Sequence, residues 1–162
     1  MALSASAPPQ DYRVTRAPYP AHTKTTASTI QGLTTVATTV YFADKIVITV
    51  TQDGRLAHWV HIPLDVAATD ASMTSKAYLD GEDDDASSDL LPMHHLTATN
   101  ILGGTMPELD ILGQTLATQT ASAIKTRDEG ETRLVVLGMG LDMSMVSRQN
   151  FSDVIGLVLE TI

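Results

Sequence analysis

Residues Lys45–Gln52 read KIVITVTQ, and every position from Ile46 to Thr51 is β-branched. Branched side chains lose rotamers against a preceding helical turn but pack well on a pleated surface, so this run predicts a strand. Its two faces follow from the period of two. Ile46, Ile48 and Val50 point one way, and Val47, Thr49 and Thr51 the other. Both faces carry branched apolar groups, so the strand belongs inside a sheet that is covered on each side.

The flanking segments extend this pattern. Residues 25–30 are Thr-rich and end at Gln31-Gly32, a predicted turn. Residues 33–42 alternate Thr and Val. Asp53-Gly54 supplies the residue types of a tight hairpin turn, because positive φ costs Gly nothing and Asp little. A return strand over 55–62 is predicted, ended by Pro63. Hairpin-linked strands of this kind imply a mostly antiparallel sheet.

Further along, a strand is expected over 94–102, broken by Gly103-Gly104. Thr105-Met106-Pro107-Glu108 has the form of a capping box, with Thr105 as N-cap and Glu108 reaching back. The helix after it should run to about Arg127, with Leu109, Leu112, Leu116, Ala123 and Ile124 near one face. Residues 132–141 form another expected strand, apolar on both faces. A last helix is expected from Ser147 or Asn150, carrying Phe151, Val154, Ile155, Val158, Leu159 and Ile162 at helical spacing.

The order β-β-β-β-β-α-β-α predicts an α+β fold: a mostly antiparallel six-stranded sheet with two helices on one face. No element remains to cover the other face, so that face is expected to pack against a second subunit. Its candidate residues are Val36, Val47, Thr49, Val135 and Leu137. The sequence also predicts a single domain over 23–162, preceded by a Pro-rich disordered tail over 1–22. Within the domain, residues 64–92 hold eight acids against Lys76 alone and predict a flexible acidic loop. Asp80, Glu82, Asp83, Asp84 and Asp85 are its candidate partner-binding residues.

Charge and composition exclude several functions. A net charge of −9 argues against nucleic acid and against anionic membrane surfaces. With no cysteine there are no disulfides, thiolate metal sites or Cys nucleophiles, which fits a cytoplasmic location, with the nucleus as a further one. The first residues lack a signal-peptide layout, and no apolar run is long enough to span a bilayer.

Motifs for chemistry are weak. His94 and His95 are adjacent, and His58 and His61 lie three apart, so on strands neither pair shares a face. Asp83, Asp84 and Asp85 lack the spacing of an EF-hand. Gly138 and Gly140 complete no phosphate-binding loop and fit a bulge or a close backbone approach better. No G-x-S-x-G elbow occurs. Trp59 fits a core position and a wet-edged interface anchor equally well. No metal, cofactor or catalytic set is expected.

Three segments taken together resemble the proteasome assembly chaperone 3 family. They are KIVITVTQDGRLAHWVHI (45–62), ATNILGGTMPELDILGQTLA (98–117) and TRLVVLGMGLDMSMVSRQNFSDVIGLVLETI (132–162). The match lies in the apolar strand ending Thr51-Gln52 before Gly54 and a basic residue, in the Leu-Gly pair before a Pro-containing helix start, and in the strand leading through Met145 into the last helix. The resemblance implies a small non-catalytic chaperone with no cofactor. It implies a dimer, formed sheet on sheet with the related proteasome assembly chaperone 4 or with a second copy. It further implies binding to α-type subunits of the 20S proteasome, in particular the α5 subunit, to promote α-ring assembly. The Pro-rich tail and the acidic loop depart from compact members of that family. Two other functions fit the pattern: a longin- or roadblock-like dimeric adaptor in trafficking or signalling, and a small enzyme with an unrecognised site.

Overall fold

A computed structural model describes residues 21–65, 93 and 96–162. It contains six strands: β1 (His22–Ile30), β2 (Leu33–Tyr41), β3 (Lys45–Gln52), β4 (His58–Pro63), β5 (Thr99–Leu102) and β6 (Leu134–Gly140). The described residues also form two helices, α1 (Pro107–Arg127) and α2 (Arg148–Leu159), with a 3₁₀ turn over Met143–Val146 before α2. The fold is the expected α+β arrangement. Residues 1–20 of the predicted tail, most of the acidic loop, and His94 and His95 lie outside the described residues, whereas His22, predicted as the last residue of the tail, begins β1. Leu64, inside the range predicted as loop, is 1% exposed and belongs to the core.

The sheet order is β1-β2-β3-β6-β4-β5, and β3–β6 is its one parallel pair. Gln31 and Gly32 both take positive φ and close β1 and β2 into the expected hairpin. Asp53 and Gly54 also take positive φ, and Arg55 N–H donates to the Gln52 carbonyl at 3.2 Å. The turn forms, but the expected β3–β4 hairpin does not. Residues 55–57 cross the end of β6, the Ala57 N–H donates to the Met139 carbonyl, and β4 pairs with β6 instead. The reason lies in β6, whose LVVLGMG sequence is the strand apolar on both faces. It gains most from a central position with neighbours on both edges. Gly140 permits the crossing, because a Cβ there would overlap the Arg55 carbonyl oxygen.

Both helices lie on one face. α1 packs on β4 and β6, and α2 on β1 and β2. The core between them holds Ile46, Ile48, Val50, Val135, Leu137, Met139, Leu116 and Val158, all buried. Its polar members are paired. Gln52 donates to the Thr35 hydroxyl at 2.9 Å and accepts from the Asp142 N–H at 2.8 Å. Thr39 and Thr161 share a 2.6 Å hydrogen bond. The α1 boundary differs from the capping-box expectation: Met106, not Thr105, is the N-cap, and no side chain caps it. Pro107 at the first position has no N–H to leave unsatisfied, which reduces the need for such a cap. α2 starts as expected, with the Ser147 hydroxyl accepting from the Asn150 N–H.

Candidate interaction surfaces

The face that no described helix covers is ordered by strand register. One cross-strand row runs Thr23, Val40, Val47, Val136, His61. The next runs Thr25, Thr38, Thr49, Gly138, Trp59, Leu102. A third holds Ala27, Val36, Thr51 and Gly140. The surface is therefore a field of valine and threonine with one aromatic group. Trp59 lies over Gly138, where a Cβ would stand 2.8 Å from the indole ring. Gly138 thus makes the space for the ring, and Trp59, half-buried, belongs to this open face rather than to the core. The Thr25 and Thr38 hydroxyls bond each other at 3.0 Å across the two outer strands.

Among the five candidate dimer residues, Val36, Val47 and Thr49 stand on this open face and are half-buried. Val135 and Leu137 do not. They pair with Ile46 and Ile48, face the helices, and are 0% and 1% exposed. Their open-face neighbours on β6 are Leu134, Val136 and Gly138. Because β6 is apolar on both sides, its alternation does not say which side meets Val47, and only the parallel register with β3 does. The acidic candidates Asp80, Glu82, Asp83, Asp84 and Asp85 lie outside the described residues.

A second surface was not visible in the sequence. One end of the sheet gathers the ends of β3 and β6, the start of β4, and the starts of α1 and α2. There a groove of about 160 Å³ is lined by Glu108, Ile111, Leu112, Thr115, Val146 and Phe151. Beside it His58, buried, meets Asp110 through Nδ1 and Oδ1 at 3.0 Å. This pair ties the start of β4 to the first turn of α1. Asp110 and Glu108 also suit a helix N-terminus, where carboxylates are favoured. A wider polar trough lies between β1 and α2, lined by residues that include Ser28, Thr29, Asp153 and Glu160.

At the opposite end, Glu131 binds the Arg133 guanidinium, which also donates to the Phe42 carbonyl at 2.9 Å and stands 5.6 Å from the Tyr41 ring centre. The Arg133 hydrogen bonds hold the Glu131 carboxyl down at about 2. Among the described residues, no group of three or more His, Asp or Glu side chains is placed to hold a metal ion. No described helix is long and apolar enough to cross a membrane.

No family model and no curated protein matches the chain. Among solved structures it is similar to one chain of a chaperone complex for yeast 20S proteasome assembly, determined by crystallography. The TM-score is 0.50 at 9% identity, covering 86% of this chain and 97% of that chain. At so low an identity the likeness is one of fold.

Proposed function

We propose that the chain is a non-catalytic assembly chaperone of the 20S proteasome that works as a dimer. The observation that carries this reading is the valine-threonine face that no described element covers, on a sheet whose fold recurs in a proteasome assembly chaperone complex. A sheet face with Val36, Val40, Val47, Val136 and Trp59 half-exposed gains free energy when a second sheet covers it. Sheet-on-sheet pairing with proteasome assembly chaperone 4, or with a second copy, provides that cover. The client is an α-type subunit, the α5 subunit in particular, bound during α-ring formation in the cytoplasm or nucleus. The acids of residues 80–85 offer a contact for a basic patch on that ring.

Co-purification tests this directly. The tagged chain, with and without the related chaperone, should retain the α5 subunit and no nucleotide or cofactor. Sedimentation should give a dimer mass. A chain that stays monomeric with its partner, and that retains no α subunit, would exclude the proposal.

A further inference from the structure

The large apolar side chains that remain exposed among the described residues all gather at the end of the sheet where both helices start. Ile111 is 64% exposed, Leu102 63%, Ile101 55%, Met106 45%, Leu56 42%, Met143 42% and Val146 39%. They come from the crossing after β3, the end of β5, the start of α1 and the 3₁₀ turn. Nothing in their local sequence pattern aligns them, and only the topology brings them together. A cluster of this kind marks a contact surface more often than isolated exposed residues do.

The concave part of this end is the groove between α1, the 3₁₀ turn and α2. Its volume of about 160 Å³ is well below the ~300 Å³ at which small-molecule and cofactor sites begin. It suits one or two aliphatic side chains of a protein segment. Among the described residues, Glu108 is the one charged group lining it. Arg148 begins α2 nearby, and Arg55, across the same end, is held by Asp53 at 3.1 Å. Asp110 is occupied by His58, which leaves Glu108 as the carboxylate facing the groove.

We infer that this groove docks a protein segment that offers an aliphatic side chain beside a lysine or arginine. The aliphatic group enters between Ile111, Val146 and Phe151, and the cation meets Glu108. A second copy of the chain is disfavoured as the occupant by the general repulsion between two chains that each carry −9. The residues lining the groove include none from the open-face rows, so one molecule can dimerise and dock at once. In the proposed chaperone the docked segment would belong to the proteasome subunit, and that assignment alone rests on the preceding reading.

Short random peptides displayed on phage, selected on the full-length chain, test the groove without assuming the client. Peptides recovered on the wild type should carry Leu or Ile next to Lys or Arg. Their capture should fall at least about tenfold on Ile111→Glu, as expected for a central apolar anchor. Glu108→Gln should weaken capture less and flatten its dependence on salt. The sedimentation mass of both variants should equal that of the wild type. Phe151→Leu, which keeps the groove apolar if Ile111→Glu perturbs the helix, should retain most of the capture. No enriched peptide, acidic peptides, or peptides indifferent to Ile111→Glu would overturn the inference. Loss of α5 binding with peptide capture intact would instead count against the client assignment.

Discussion

The two faces of the sheet are built from the same strands and differ in what their side chains ask for. On β3, Ile46, Ile48 and Val50 are 0% exposed beneath the helices, whereas Val47, Thr49 and Thr51 on the other side stay half-buried. On β6 the contrast is between Val135, Leu137 and Met139, and Leu134, Val136 and Gly138. The covered face uses long aliphatic groups that interdigitate with helices. The open face uses short branched groups, half of them hydroxyl-bearing, which leave a flat surface. A threonine tolerates water before a partner arrives and still presents a methyl group when one does. In the proposed dimer, burial within the chain and burial by a partner would select different side chains on one strand.

The contrast is sharpest at two adjacent β6 positions. Leu137→Ala should lower the unfolding free energy by about 2–5 kcal/mol, because it empties a site enclosed by the helices. Val136→Ala should cost about 1 kcal/mol or less in the dissociated chain. Urea titrations at a concentration low enough to separate subunits measure both, and equal losses would break the distinction between the faces. Gly140→Ala ranks next, at about 1–3 kcal/mol, since the new methyl must displace the Arg55 backbone where it crosses β6. Faster hydrogen exchange at the Ala57 amide, which bonds the Met139 carbonyl, would place that damage at the crossing.

How much of this was legible depends on how local the cause was. Lys45–Gln52 is a strand with the faces its alternation predicts, because β-branching and a period of two act within the segment. Gln31-Gly32 gives its hairpin for the same reason. Asp53-Gly54 has equally good turn chemistry and takes the same backbone conformation, yet the strands it joins do not pair. The deciding term is the burial of β6, some 80 residues later in the chain, and no local pattern around Asp53 contains it. The same distant register moved Val135 and Leu137 from the expected dimer face to the core. The groove at the helix starts was illegible for a related reason, since Ile111 and Val146 become neighbours only once both helices are laid on the sheet.

On the open face, Val47→Asp should raise the dissociation constant of the proposed dimer at least tenfold, which corresponds to about 1.4 kcal/mol. Thr49→Val should lower it by a smaller factor, as it adds apolar area at the same row. Sedimentation equilibrium reads both. Urea midpoints of the separated subunits should stay near the wild-type value, because neither side chain enters the helix-covered core. A Val47→Asp chain that fails to fold would mean that this face is part of the core after all.

The smallest effect is expected where the rim of the covered face is closed by charge rather than by apolar contact. Glu131 is held by Arg133, and its carboxyl titrates near 2, below the ordinary 4.5. A depressed folded-state value means that the ion pair stabilises the fold above pH 4.5. That contribution is lost as the pH falls from 4.5 toward 2 and the carboxylate is protonated. Arg133 is 29% exposed, so water screens the pair and the contribution should be about 1 kcal/mol or less. Glu131→Gln should remove this part of the acid dependence while leaving stability between pH 6 and 8 only slightly lower, about the range where no other carboxylate changes charge. The check is a series of urea titrations from neutral to acid pH. If the variant and the wild type lose stability in parallel below pH 4.5, the charge closing this rim acts only as a surface pair, and apolar cover alone distinguishes the two faces.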